Sequence, residues 1–163
     1  MQPRKKIYPM KAILTIACMF ITLVSFSQED VSKIDWLTNL DNAKKISAKK
    51  DKPILIYFTG SDWCAPCVGL KKDFFNSPDF EEYTNEFVMV MIDYPRRMDI
   101  ISDEQRAYNK TIIEKYNSSN SFPKLTVVNS KGKELGNISG YSSYNTYQDT
   151  SHHLAFVKKH RKE

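Results

Sequence analysis

Two cysteines separated by two residues, in Trp63-Cys64-Ala65-Pro66-Cys67, stand just behind the unbroken apolar run Ile54-Leu55-Ile56-Tyr57-Phe58. Thiols at this spacing exchange between dithiol and disulfide. The run predicts a strand covered on both faces. Thr59-Gly60-Ser61-Asp62 supplies a turn and candidate caps ahead of a helix opening at Cys64. A helix start presents unpaired backbone N–H groups and the positive end of the macrodipole, both of which favour a thiolate. On that arrangement Cys64 is the nucleophile. Cys67, one turn on, attacks the mixed disulfide and releases the reduced partner.

The chain has three cysteines in 163 residues, and the third, Cys18, falls in a stretch with the form of a leader. Residues 1 to 27 carry Arg4, Lys5, Lys6 and Lys11 with no acid, then the apolar stretch Ala12 to Phe26, then Ser25-Phe26-Ser27 with small residues where a signal peptidase reads. We read 1–27 as a signal peptide and 28–163 as one domain; Met10-Lys11 would serve equally as its start, and an uncleaved anchor would leave the domain on the same side of the membrane. Ala17-Cys18 resembles the end of a lipid-attachment box, but the apolar run continues past it to Val24, where a lipidated cysteine should end it. Without the leader only Cys64 and Cys67 remain. They close so small a loop that a purely structural bridge contributes little, which favours reversible chemistry.

Four of the 24 basic residues and none of the 19 acids fall in residues 1 to 27, leaving 20 basic residues against 19 acidic ones. A nearly neutral domain gives no reason to expect nucleic acid. Lys44-Lys45, Lys49-Lys50 and Lys158-Lys159 read as solvated helix faces.

The remaining pattern alternates strands and helices. Gln28 to Lys33 is polar and read as loose, and Ile34 to Trp36 suggests a short edge strand. Asn39 to Lys50 has Leu40, Ala43, Ile46 and Ser47 at helical spacing and stops at Asp51-Lys52-Pro53. The helix from Ala65 carries Val68, Leu70, Lys71, Phe74 and Phe75, and Ser77-Pro78 restarts it as cap and first position. Phe87 to Ile92 reads as a second buried strand, parallel to the first through a right-handed crossover, which puts the cysteine loop at the carboxyl end of the sheet. Ser102-Asp103-Glu104-Gln105 has the form of a capping box opening a helix through Tyr116. Leu125 to Val128 and Glu134 to Ser139 read as an antiparallel hairpin around Asn129-Ser130-Lys131-Gly132. Tyr144 to His160, with Tyr147, Leu154 and Val157 inward, suggests a closing helix, weakened by Asp149-Thr150-Ser151.

Over residues 34 to 160 this pattern resembles the thioredoxin family. The elements that carry the resemblance are Trp63-Cys64-Ala65-Pro66-Cys67 after a strand, Asp93 closing the next strand, Phe122-Pro123 before the hairpin and Ser139-Gly140 after it. Phe58-Thr59-Gly60-Ser61-Asp62-Trp63-Cys64, with Asp93-Tyr94-Pro95-Arg96 and Asn109, looks more like exported thioredoxin-like proteins of Gram-negative bacteria than like cytoplasmic thioredoxin. The resemblance implies an α/β thioredoxin-like fold, a central mixed β-sheet flanked by helices. It also implies that Pro123 is a cis-proline facing the disulfide, with Phe122 and Pro123 pairing with an extended substrate segment.

Three departures qualify the likeness. Thioredoxin has a buried carboxylate on the strand before its cysteines, and the matching positions here are Tyr57 or Phe58, leaving the proton acceptor unassigned. Lys124 stands where the family commonly has threonine and is read as reaching solvent more readily than a thiolate. No histidine lies between the cysteines, and in the family that tilts the direction toward reduction.

The resulting expectation is an exported, periplasmic thiol:disulfide oxidoreductase acting as a monomer on protein disulfides. Cys64 and Cys67 are catalytic, Trp63 covers the site, and Ala65 and Pro66 complete the active-site loop, which Pro66 restrains. The dithiol carries both electrons, so no cofactor and no metal is expected, and a membrane thiol protein is the expected electron donor. The competing readings are an oxidase or isomerase, and a non-enzymatic module binding a client peptide or a soft metal through Cys64 and Cys67. His152-His153 and His160 read as surface residues rather than ligands, because adjacent helical residues point about 100° apart. Tyr141, Tyr144 and Tyr147 read as core packing rather than a peptide groove, and the sequons at Asn109, Asn117 and Asn137 as chance matches.

Overall fold

The structure is a computed structural model that describes residues 34–142 and 148–161. The expected signal peptide with Cys18, the stretch Gln28 to Lys33, Tyr144 and Tyr147 lie outside the described residues. Helix α1 spans Leu40–Lys50, followed by strand β1 (Ile54–Thr59) and helix α2 (Ala65–Leu70), which runs on into a π-helical turn, Lys71–Phe75. Then come α3 (Pro78–Glu81), β2 (Val88–Asp93), α4 (Asp103–Tyr116), β3 (Lys124–Val128), β4 (Glu134–Ser139) and α5 (Ser151–His160).

The sheet runs β2-β1-β3-β4. β1 pairs in parallel with β2, Ile54 opposite Val88 and Thr59 opposite Asp93, and antiparallel with β3, Phe58 opposite Lys124. Every residue of β1 is buried, as expected of a central strand with both faces covered. Its side chains alternate between two cores. Ile54, Ile56 and Phe58 join Leu40 and Ala43 of α1 and Ile112 and Ile113 of α4. Leu55 and Tyr57 join Leu70, Phe74, Phe75, Phe80 and Val157, on α2 and its π-turn, α3 and α5, and this second core holds Cys64 and Cys67.

Local signals explain most boundaries. Asn39 caps α1 by accepting the Asn42 N–H, and Asp51 ends it in the left-handed region at φ 52°. Ser77 caps α3 by accepting the Phe80 N–H, with Pro78 at the first position. Ser102 accepts the Gln105 N–H to open α4, and the Gln105 amide donates to the Thr38 carbonyl and the Asn109 side chain. The π-turn, closed by Asn76 N–H on the Lys71 carbonyl at 3.1 Å, widens the helix so that the adjacent Phe74 and Phe75 are both buried.

Three expectations need correction. No edge strand forms over Ile34 to Trp36; instead Leu37 alone bridges to β2, its N–H on Met89 and its carbonyl taking the Met91 N–H, while Ile34 packs into the core. The closing helix begins at Ser151, because Asp149 accepts the Ser151 N–H and Thr150 takes the cap position. His153 is not a surface residue. It is 6% exposed, packed against Phe74 and Tyr141, with Nε2 3.1 Å from the Gly140 carbonyl oxygen.

Candidate active site

Past Thr59 the chain turns at Gly60, whose carbonyl accepts the N–H groups of Trp63 at 3.2 Å and Cys64 at 2.9 Å. The Trp63 indole lies over this residue so closely that a Cβ at position 60 would sit 2.3 Å from the ring, so the indole can take this position only over a glycine. Trp63 is held from three further directions. Its Nε1 donates to the Tyr94 carbonyl at 2.8 Å, the Arg96 guanidinium carbon lies 4.9 Å from its ring centroid, and the Phe122 ring meets it edge-on at 5.4 Å.

Cys64 is itself the N-cap of α2, its Sγ accepting the Cys67 N–H at 3.3 Å. A backbone donor aimed at this sulfur favours its anionic form. Cys64 and Cys67 form a disulfide with Cα atoms 5.2 Å apart. Cys64 is 4% exposed and Cys67 1%, so an incoming thiol reaches the pair at the edge of Cys64.

Ser61 and Asp62 do not cap the helix. The Ser61 N–H and Oγ donate to the two oxygens of Asp93 at 2.9 and 2.6 Å, and the Asp62 carboxylate takes the N–H groups of Arg96 and Arg97, each at 2.9 Å. Desolvation pushes the Asp62 carboxyl up, but the Arg97 and Arg96 N–H groups outweigh it and hold the group below the usual range. Asn109, 1% exposed, donates to the Asp93 carbonyl at 2.7 Å. The segment before the cysteines and the segment after β2 therefore form one clasp, joined by Ser61–Asp93, Asp62–Arg96, Trp63–Tyr94 and Tyr94 N–H on Thr59.

On the other wall, Phe122-Pro123 is a cis peptide, and the Pro123 carbonyl accepts the Gly140 N–H at 2.8 Å. Lys124 reaches neither solvent nor a sulfur: it is 8% exposed and its Nζ donates to the Tyr116 carbonyl at 2.8 Å, closing the end of α4.

A family model described as a thioredoxin-like domain matches residues 40–155. The chain belongs to the thioredoxin-like family. Disulfide bond reductase DsbH of Chlamydia pneumoniae is 31% identical to it over 93 residues, covering 56% of this chain and 55% of that protein. Thioredoxin-related protein DsbJ of the same organism is 25% identical over 133 residues, covering 81% of this chain and 38% of that protein. The chain thus spans about half or less of the length of these curated relatives. Among solved structures, a DsbH oxidoreductase superposes with a TM-score of 0.64 at 26% identity, over 77% of this chain and 83% of that one. The C-terminal domain of Neisseria meningitidis DsbD in its oxidised form shares the fold, with a TM-score of 0.52 at 21% identity over 75% and 93% of the two chains.

Within this thioredoxin-like frame the β1 alternation settles which residue stands where thioredoxin has its buried carboxylate. Tyr57 faces the cysteines and Phe58 the opposite core. The Tyr57 hydroxyl donates to the Cys67 carbonyl at 2.9 Å, and burial, assisted by the nearby Asp93 charge, pushes its pKa up to about 12. Tyr57 is therefore a neutral donor beneath the disulfide. The roles of Ser61, Asp62 and Arg96 escaped sequence reasoning, although both segments stood out as motifs; their pairing across more than thirty residues was the missing signal. Among the described residues no group of three or more His, Cys, Asp or Glu is placed to hold a metal, and no helix is long and apolar enough to cross a membrane.

Proposed function

We propose that this chain is an exported thiol:disulfide oxidoreductase working as a reductase of protein disulfides. The observation that carries the reading is the Cys64–Cys67 disulfide set at a helix start, with the outer sulfur capped by the inner residue's N–H. In the reduced protein the Cys64 thiolate attacks one sulfur of a client disulfide. That bond breaks, the client's second sulfur leaves as thiolate and takes a proton from solvent, and a mixed disulfide remains. Cys67, deprotonated, then attacks Cys64 Sγ, releasing the client's first sulfur as thiolate and forming the Cys64–Cys67 bond; two electrons have passed to the client.

Trp63 covers the pair, Ala65 and Pro66 keep the loop uncharged and restrained, and Phe122 and Pro123 line the wall where an extended client segment docks. The reductase direction is supported by the neutral Ala65-Pro66 pair and by the likeness to disulfide bond reductase DsbH, 31% identical over the matched region. Export to the periplasm is supported by the charge and apolar pattern of residues 1 to 27. There a membrane thiol protein would return the disulfide to the dithiol.

The test is asymmetric trapping with a disulfide-bonded client protein. Cys67→Ser should accumulate a mixed disulfide through Cys64, and Cys64→Ser should accumulate none. Equal trapping by both variants would overturn the assignment of roles.

A further inference from the structure

Beside Trp63 lies a cleft of about 330 Å³ walled by Trp63, Tyr94, Pro95, Arg96, Met98 and Arg106. We propose that it receives an acidic side chain of the client polypeptide close to the disulfide being reduced, making Arg96 and Arg106 specificity determinants. This rests on the client-reducing role proposed above and narrows it to a class of client.

The charge balance of the cleft carries the argument. Two guanidinium groups face it, and among the described residues neither is hydrogen-bonded to a carboxylate. Arg96 lies on the Trp63 ring. Arg106 gives Nη1 to the Pro95 carbonyl at 2.6 Å and Nη2 to the Arg97 carbonyl at 2.8 Å, while its Nε is buried without a partner. Of the two nearby acids, Asp62 attracts Arg96 but gives its hydrogen bonds to the backbone N–H groups of Arg96 and Arg97, which donate to it, and Asp99 is paired with the Arg97 side chain. Neutral carbonyls satisfy the geometry of Arg106 but bring it no counter-charge of their own, and a carboxylate is the group that matches a guanidinium in both charge and shape.

The occupant is a polypeptide rather than a free anion because of what surrounds the charge. Met98 is 64% exposed and Tyr94 37%, and both border the cleft; on the cysteine helix, Val68 is 56% exposed. A small anion would leave these apolar side chains in water, whereas a chain segment covers them while presenting its carboxylate to the arginines. The Trp63 ring forms one wall of the cleft and directly precedes Cys64, so the acidic residue would lie within a few residues of the client cysteine.

The experiment uses three peptides with one intermolecular disulfide each, identical except for Glu, Gln or Lys three residues from the cysteine. Reduction rates by the reduced protein are measured at low and high salt. The Glu peptide should react about five- to tenfold faster than the Lys peptide at low ionic strength, with the ratio shrinking as salt rises. Arg96→Gln should bring the ratio toward one and Arg96→Glu should invert it. A merely structural role for Arg96 on Trp63 would slow all three peptides alike. A parallel titration with the cysteine of each peptide replaced by serine, followed by tryptophan fluorescence, reads the same preference where no exchange takes place. Absence of exchange with every disulfide would sink the oxidoreductase reading alone; equal binding and equal rates for Glu and Lys peptides, or a preference surviving Arg96→Glu, would overturn the cleft's role.

Discussion

The Tyr57 hydroxyl donates to the Cys67 carbonyl at 2.9 Å, tying the central strand to the first turn of the cysteine helix where thioredoxin has a carboxylate. The carbonyl also takes the Lys71 N–H, so it keeps a partner if the hydroxyl is removed. Tyr57→Phe should therefore cost only about 0.5–1.5 kcal/mol in denaturant unfolding. The phenol's raised pKa carries a second expectation. Its contribution to stability is complete below the unfolded value of about 10 and is lost as pH rises through about 12. The parent should lose stability over that alkaline window by more than Tyr57→Phe does. An identical alkaline profile for both proteins would contradict the buried, neutral phenol.

Gly60→Ala places a methyl group where the Trp63 indole now lies, and the ring must move. The Nε1 bond to Tyr94 and the stacking of Arg96 should be lost together. In a Trp36→Phe background, where Trp63 is the remaining indole, the emission should shift to the red and quench more readily. An unchanged spectrum would mean that the ring is not fixed by this contact.

How much of this was legible from the chain differs by the range of the interaction. The all-apolar strands, the caps at Ser77 and Ser102, and the Cys64 loop at the end of β1 follow from patterns spanning a few residues, and the structure has them. Ser61 and Asp62 carried good local capping chemistry, yet partners on the loop after β2 took their oxygens; local propensity lost to contacts fixed only by tertiary structure. Lys124 misled for the same reason, since a long side chain can reach a helix end only once the fold has brought α4 to the start of β3. The choice between Tyr57 and Phe58 needed the register of β1, because shifting a strand by one residue exchanges its faces.

His153 provides a test at acid pH. Burial lowers its pKa, and the neighbouring His152 acts in the same direction, against the opposing effect of the Gly140 carbonyl. The neutral ring is favoured in the folded protein, so its contribution is complete above the unfolded value of about 6.5 and is lost as pH falls below it through the folded value. Unfolding midpoints should decline over this range in the parent and decline less in His153→Phe, which keeps the contacts with Phe74 and Tyr141. A steeper decline in the variant would mean that the histidine is stabilised by charging.

The central claim, a reducing dithiol, is tested most directly by the equilibrium potential of the Cys64/Cys67 pair in dithiothreitol or glutathione buffers. Ala65 and Pro66 bring no charge between the sulfurs, the Lys124 amine is bound to the Tyr116 carbonyl, and Arg96 is stacked on Trp63, so no cation in these contacts selectively stabilises the reduced thiolate. The account predicts a potential near that of thioredoxin, about −270 mV. A value near about −120 mV, that of a strong oxidant, would contradict it.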